Sequence, residues 1–147
     1  MKYYHFEHRI NILGRILYKK LFEKISYAGL TSSQWTIISF LFFYGETTQA
    51  KIADQLALEP PTVSKALYNL ELAGWIIRIV DKNDKREKKA VLSDNAKKTI
   101  PGLLKSIDEF QGEVINDISA PDIEAFDRVL TKIYKNVSKK SILKANQ

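Results

Sequence analysis

The chain has 147 residues, of which 45% are hydrophobic and 27% charged, and its formal net charge is +6 with a pI near 9.4. This length accommodates one hydrophobic core, and the basic balance favours an anionic partner without identifying one. Because the sequence contains no cysteine, it excludes disulfide scaffolding, thiolate catalysis, cysteine-bound zinc and thiol redox sensing.

The sequence also argues against a membrane protein, a metalloprotein and an enzyme. Its longest apolar run, WTIISFLFFYG, falls short of the 18 or more residues of a membrane span, and MKYYHFEHRI is too charged for a signal peptide. We therefore expect a cytoplasmic protein without a membrane segment. His5 and His8 have no third histidine to complete a site, so we expect no metal and no cofactor. Without a nucleotide-binding glycine motif or a recognisable catalytic pair, we expect no enzymatic activity.

Apolar residues recur at helical spacing through the first third of the chain. A long first helix carries Phe6, Ile10, Leu13, Leu17 and Leu21 on one face, and Gly29 is expected to end it. The second helix contains Trp35, Ile38 and Phe42. Either Thr31 or Ser32 can cap it, and Gly45 closes it.

Two shorter helices follow. The third begins at Thr48, whose hydroxyl can accept a hydrogen bond from a free backbone N–H, and it buries Ile52, Ala53 and Leu56. In ALEPPTVSKALYNLELAGW, Pro60 and Pro61 stop this helix and open the fourth. The fourth helix is expected to end at Gly74 and to bury Val63, Ala66, Leu67, Leu70 and Ala73. Its opposite side is short, polar and basic.

Two β-branched runs, WIIRIV and KKAVL, bracket the charged stretch DKNDKREKKA and predict an antiparallel hairpin with a long loop. Basic charge is concentrated here, since residues 78–98 contain eight Lys or Arg against four Asp or Glu. By contrast, residues 105–127 contain one Lys against seven acids, and a second basic cluster runs from Lys132 to Lys144. Taken alone, the charged loop favours a simple solvated tip, and its role depends on the elements that precede it.

The remaining chain predicts two more helices. Ser93 can cap a long helix from Asp94, in which Leu103, Ile107, Phe110, Val114 and Ile118 have helical spacing and Pro101 introduces a kink. The last helix follows Pro121, with Ile123, Phe126, Leu130, Ile133 and Val137 on one face. The end of the chain after about Ile142 is expected to fray.

The order of these elements predicts a mainly α fold with a small β-hairpin wing, an α+β arrangement known as a winged helix-turn-helix. An α-helix fits the major groove of B-DNA, and a basic wing can follow the backbone or enter the minor groove. Double-stranded DNA is therefore the predicted partner. The predicted contacts of the fourth helix are Pro61, Thr62, Ser64, Lys65, Tyr68 and Asn69.

Within this set, Thr62, Ser64 and Lys65 are assigned to bases, because the first turns of such a helix lie nearest the groove floor. Tyr68 and Asn69 are assigned to phosphates, as are Thr48 and Gln49 at the start of the third helix. In the wing, Lys82, Lys85, Lys88 and Lys89 are assigned to phosphates. Arg78 is left open between a structural ion pair and a phosphate contact.

The stretch from Leu30 to Lys98 also resembles the MarR family of bacterial transcription regulators. The matching features are the LTSSQW opening of the second helix, TQAKIADQL, PPTVSKALYNLELAGWIIR, the Asp84-Lys85-Arg86 motif of the wing, and LSDNAKK. The resemblance implies that Arg86 enters the minor groove and that Asp84 holds it in place. Three residues depart from the family pattern: Ala57 and Ala96 stand where glycine is frequent, and Pro61 replaces a common serine.

Outside this window the resemblance implies further roles. The apolar faces of the first and last helices can pack together within one monomer, whereas the resemblance favours a homodimer. It implies one MarR-like domain over residues 1–147, with dimerisation helices in 1–29 and 94–147 around a DNA-binding core in 30–93. A two-fold dimer predicts a palindromic operator with half-sites about one helical turn apart.

Relatives often bind small aromatic or anionic effectors, for which Arg15, Tyr18, Trp35 and Tyr44 are candidates, although Trp35 also fits the core. The expected function is thus a sequence-specific DNA-binding regulator, a dimeric repressor released by an effector. The alternative is a winged-helix module that binds proteins without sequence-specific DNA binding.

Overall fold

The computed structural model of the chain describes residues 6–138. Its helices are α1 (Phe6–Lys24), α2 (Ser32–Tyr44), α3 (Gln49–Leu56), α4 (Pro60–Leu72), α5 (Asp94–Val114) and α6 (Ala120–Ser138). Its strands are β1 (Thr47–Thr48), β2 (Ile76–Val80) and β3 (Lys88–Leu92). The predictions for His5, for the frayed end and for the basic cluster beyond Ser138 lie outside the described residues.

The first helix ends earlier than predicted. Ile25 leaves the helical conformation at φ −108° and is followed by a 3₁₀ turn, Ser26–Ala28, which Gly29 closes in the left-handed region at φ 66°. Gly29 therefore terminates this extra turn and not α1. The Ile25 side chain, only 1% exposed, becomes part of the core.

Helix starts follow the predicted capping chemistry. Thr31, not Ser32, caps α2: its Oγ1 accepts from the Gln34 backbone N–H, and the Gln34 carboxamide oxygen accepts from the Thr31 N–H. This reciprocal pair satisfies two backbone donors that the helix leaves free. Thr48 caps α3 by accepting from the Lys51 N–H, and Gly45 ends α2.

The helix-turn-helix consists of α3 and α4, which pack against each other. The prolines open α4, with Pro60 in its first position, but α3 has already ended at Leu56 because Ala57 adopts a left-handed conformation at φ 51°. Four of the five predicted residues of α4 are buried, namely Val63, Ala66, Leu67 and Leu70. Ala73 is exposed, contrary to the prediction, since α4 ends at Leu72 and Gly74 turns the chain at φ 78°.

The sheet contains one strand more than the predicted hairpin. Its order is β1-β3-β2 with both pairs antiparallel, so β3 is central. Thr48 lies opposite Lys89 on one side of β3, and Val80 lies opposite Lys88 on the other. The wing turn, residues 81–87, connects β2 to β3. Because β1 runs directly into α3, the wing strands are joined to the helix-turn-helix.

Ser93 connects the sheet to α5 as predicted. Its Oγ accepts from the Ala96 N–H at 3.1 Å and donates to the Gly74 carbonyl at 2.7 Å. Pro101 lies inside α5. Ile118 was predicted to continue this helix, but α5 ends at Val114 and Asp117 takes φ 60°, so Ile118 lies in the connection to α6.

The hydrophobic core is built from α2, α3, α4, the sheet and the first half of α5. Ile37, Ile38, Ile52 and Leu70 are fully buried in it. The chain divides into two compact units, with the boundary between Ile107 and Asp108 inside α5. No helix within residues 6–138 is long and apolar enough to cross a membrane.

Candidate nucleic-acid interface

Helix α4 presents a polar side to solvent. Its side chains at Pro61, Thr62, Ser64, Lys65 and Tyr68 are exposed, whereas Asn69 is half-buried. They lie opposite the buried row that contains Val63 and Leu67, as the helical repeat requires. The structure thus brings the six candidates of this helix to one accessible side.

The wing turn is closed by hydrogen bonds of its own. The Asp81 N–H donates to the Glu87 carbonyl at 2.9 Å, and the Glu87 N–H donates to the Asp84 carbonyl at 3.0 Å. The Asp81 carboxylate accepts from the Asn83 N–H at 3.1 Å. These bonds give the seven-residue loop a defined shape although all of its residues except Asp81 are exposed.

The exposed wing carries four cations, Lys82, Lys85, Arg86 and Lys88. Within residues 6–138, the charged ends of these side chains form no ion pair. Asp84 does not hold the guanidinium of Arg86. Its Oδ1 accepts from the Arg86 backbone N–H at 2.9 Å, so it orders the main chain that presents the arginine.

The residues proposed at the start of α3 are already engaged within the chain. The Thr48 hydroxyl caps α3 by accepting a hydrogen bond from the backbone nitrogen of Lys51 at 3.4 Å. The Gln49 carboxamide oxygen accepts from Nη2 of Arg78 at 3.0 Å. This leaves the Gln49 amide NH₂ as its available donor.

Arg78 connects three elements. Besides its hydrogen bond to Gln49 of α3, its Nε lies 4.0 Å from Oε2 of Glu71 on α4, and its side chain is 25% exposed. Arg78 itself belongs to β2. This geometry is that of a structural ion pair, which is one of the two roles that the sequence allows for Arg78.

Lys89 differs from the other lysines of the hairpin, although the sequence predicts a phosphate contact for all of them. Its Nζ lies 3.6 Å from the Asp81 carboxylate and 3.7 Å from that of Glu46, and its side chain is 28% exposed. The ammonium group is therefore committed to two internal carboxylates. Sequence reasoning missed Glu46, because it lies far from the wing along the chain.

An open cleft of about 740 Å³ lies between α3, the start of α4, β2 and the wing. Its lining consists of Thr48, Gln49, Ala50, Ala53, Asp54, Leu58, Pro60, Arg78, Arg86, Glu87 and Lys88. Three cations and two carboxylates line it, so its charge is slightly positive. The cleft brings Arg86 of the wing and Arg78 of the internal network to one surface.

The four effector candidates do not line this cleft. They do not line a second cleft either, which runs along Phe6, Arg9, Ile10 and Leu13 of α1.

The four candidates have different surroundings. Arg15 is exposed, and Tyr18 stacks on Phe22 with ring centroids 6.0 Å apart. Trp35 is only 7% exposed and belongs to the core, which is the alternative that the sequence also allows. Tyr44 stacks on Phe40, and burial raises the pKa of its hydroxyl. Trp35 and Tyr44 are roughly 13 Å apart along α2.

His8 is exposed on α1. Among the described residues, no group of three or more His, Asp or Glu side chains converges to hold a metal ion.

Comparison with known proteins shows which protein family the chain resembles. The family model that matches residues 30–88 is that of the MarR family. YwoH of Bacillus subtilis strain 168, named as an uncharacterized HTH-type transcriptional regulator, is 36% identical over 125 residues, which span 85% of this chain and 90% of that protein.

The fold is shared with solved structures, of which two bear on the interface. A cysteine-to-serine mutant of MarR from E. coli, complexed with operator DNA, has a TM-score of 0.80 and 17% identity over 86% of this chain and 91% of that one. The organohalide-sensing regulator RdhR-CbdbA1625, in its 2,4-dichlorophenol-bound form, has a TM-score of 0.80 and 20% identity over 92% of this chain and 83% of that one.

Proposed function

Since the chain belongs to the MarR family of transcriptional regulators, we propose that it binds double-stranded DNA sequence-specifically through α4 and the wing. Two observations together carry this proposal. One side of α4 is polar and exposed, and the wing carries four cations that form no ion pair within residues 6–138. Bound in the major groove, α4 would direct Thr62, Ser64 and Lys65 to base edges. Pro61 would make an apolar contact, such as one to a thymine methyl group.

The wing supplies the second half of the interface. Lys82, Lys85 and Lys88 would neutralise phosphates, which gives affinity and salt dependence but no sequence preference. Arg86 would enter the minor groove, where the negative potential favours an arginine. Tyr68, Asn69, Thr48 and the amide of Gln49 would contact the backbone and fix the register of the protein on the duplex.

A homodimer is the second part of the proposal. Helix α1 has no buried residue, and Phe6, Ile10, Leu13 and Ile16 are each about half exposed. Helix α6 likewise has no buried residue and exposes Phe126 and Val137. Apolar stripes of this extent mark interaction surfaces. A two-fold dimer would read a palindromic operator with half-sites roughly 34–36 Å apart.

The third part is the regulatory response. We propose that the protein acts in the cytoplasm as a repressor that a small aromatic or anionic effector releases from its operator. The organohalide-sensing regulator bound to 2,4-dichlorophenol is a relative in fold with such a ligand. Arg15, Tyr18 and Tyr44 remain candidates for this effector, whereas Trp35 is a core residue. We assign the chain no catalytic role.

The experiment that tests the proposal compares two labelled duplexes. One comes from just upstream of the gene that encodes this protein, and the other is its shuffled sequence of equal length. We expect a preference of about 10³-fold or more for the native duplex, and an affinity that falls steeply with salt. Absence of salt-dependent binding to either duplex would contradict DNA binding and would favour the protein-interaction module.

A further inference from the structure

The ammonium group of Lys89 lies between two carboxylates, one next to each outer strand of the sheet. Its Nζ is 3.7 Å from Oε1 of Glu46 and 3.6 Å from Oδ1 of Asp81. Glu46 immediately precedes β1, Asp81 immediately follows β2, and Lys89 belongs to the central strand β3. This three-residue bridge therefore connects both outer strands through the middle one.

The bridge is partly shielded from solvent. The side chains of Lys89 and Asp81 are 28% and 12% exposed, and that of Glu46 is 49% exposed. Isolated surface ion pairs contribute little, but shielding and a shared central charge reduce the screening by salt. The bridge is thus better suited to fixing a geometry than the exposed pairs elsewhere on the chain.

Asp81 also organises the wing turn. The same Oδ1 that faces Lys89 accepts from the Asn83 N–H, and the Asp81 N–H donates to the Glu87 carbonyl. The turn that presents Arg86 is therefore held at its base by a carboxylate whose counter-charge is Lys89. On the opposite side, Glu46 leads into β1 and then into α3, which packs against α4.

We propose that Lys89 is a positioning residue: it fixes the wing relative to the helix-turn-helix and does not itself contact DNA. This inference rests on the proposed DNA-binding function, because it explains how Arg86 is aligned with the contacts of α4. Loss of the Lys89 charge leaves Asp81 and Glu46 without their shared cation. The wing then samples orientations in which Arg86 and α4 cannot both reach the duplex.

Lys88 provides a matched control on the same strand. It is the adjacent residue of β3, is exposed, and forms no ion pair within residues 6–138. Lys88→Met and Lys89→Met remove the same charge with the same change of shape. A phosphate contact and a positioning residue can therefore be distinguished side by side.

The first measurement is the affinity of these variants for the duplex from upstream of the gene, over a range of salt concentrations. We expect Lys88→Met to make the negative slope of log affinity against log salt shallower by roughly one, as for a lost phosphate contact. We expect Lys89→Met to weaken binding about 3- to 10-fold with an unchanged slope, and Lys89→Arg to restore most of the affinity. A slope that falls equally in both methionine variants would overturn the positioning role.

The second measurement is a double-mutant cycle with Arg86→Ala. A positioning role predicts that Arg86→Ala costs at least about 3-fold less in the Lys89→Met background, since the misaligned arginine contributes less there. Two independent DNA contacts would instead give fold-changes that multiply. Multiplying fold-changes would count against the inference.

The third measurement does not need DNA. Amide hydrogen exchange at Asn83 and Glu87 should accelerate at least about 5-fold in Lys89→Met and stay unchanged in Lys88→Met. Unchanged exchange in both variants would show that Lys89 does not order the wing. If the wild-type protein binds no duplex but exchange still accelerates in Lys89→Met, the proposed function is rejected while the ordering of the wing by Lys89 is retained.

Discussion

The carboxylate of Asp84 accepts a hydrogen bond from the backbone N–H of Arg86 at 2.9 Å. The Glu87 N–H donates to the carbonyl of the same aspartate at 3.0 Å. Asp84 thus closes the tip of the wing from both its side chain and its main chain, while the Arg86 guanidinium remains exposed. A turn that is ordered before binding lowers the conformational entropy lost on complex formation.

Removing the wing arginine tests the DNA contact itself. Arg86→Ala should weaken binding to the native duplex by about 1–3 kcal/mol, because an arginine in the minor groove is lost. Thermal unfolding should be unchanged, since the side chain is exposed. Equal affinity of a folded Arg86→Ala variant and the wild type would contradict the wing assignment.

Two substitutions of Asp84 separate the hydrogen bond from the charge. Both Asp84→Asn and Asp84→Ala remove the negative charge, but only asparagine keeps a side-chain oxygen that can accept from the Arg86 N–H. We expect the alanine variant to bind the duplex about 0.5–1.5 kcal/mol more weakly than the asparagine variant. If their affinities match, the Asp84 side chain does not order the wing tip for binding.

Substitution of Arg78 distinguishes its structural role from a phosphate contact. Arg78→Met removes the bonds to Gln49 and Glu71 and should lower the free energy of unfolding by roughly 1 kcal/mol, measured by urea denaturation. The salt slope of DNA binding should stay close to that of the wild type. A slope reduced by about one with unchanged stability would establish Arg78 as a phosphate contact.

Ala57 stores backbone strain in the turn of the helix-turn-helix. Its φ of 51° lies in the left-handed region, which costs an L-residue about 1–2 kcal/mol. Glycine relieves this strain, but its more flexible unfolded state offsets part of the gain. Ala57→Gly should therefore stabilise the protein by a net of roughly 0.5–1 kcal/mol. Ala53→Gly, inside α3, should destabilise it by a similar amount or more. A loss of stability in Ala57→Gly would contradict the strain argument.

The proposed dimer is tested through α1. Leu13 is 50% exposed on this helix, so Leu13→Glu places a charge on the proposed interface without disturbing the described core. We expect sedimentation equilibrium to show dissociation into monomers. DNA affinity should fall because a monomer contacts only one half-site of the palindrome. Lys19→Glu, an exposed polar position on the same helix, is the control and should remain dimeric. A dimeric Leu13→Glu variant would place the interface elsewhere.

Local signals in the sequence determined most helix starts but few helix ends. Thr48 marks the start of α3 because its hydroxyl accepts from a backbone N–H, and Gly45 marks the end of α2 through its positive φ. Both signals depend on only a few neighbouring residues. Pro60 opens α4 for the same kind of reason. The charged hairpin was predicted because its two apolar runs are adjacent in sequence. The exposed side of α4 followed from the helical repeat.

Interactions between distant segments were decided only by the tertiary structure. Thr47 and Thr48 form a strand because β3 offers them an unpaired edge, and no pattern in two residues could predict that partner. The sequence allows two roles for Arg78, and only the fold brings the Gln49 carboxamide oxygen to 3.0 Å from its Nη2. Lys89 resembled its exposed neighbours until the fold brought Glu46 beside it. A capping or periodic signal is local to one helical turn, whereas an ion pair depends on folding two remote parts of the chain onto one surface.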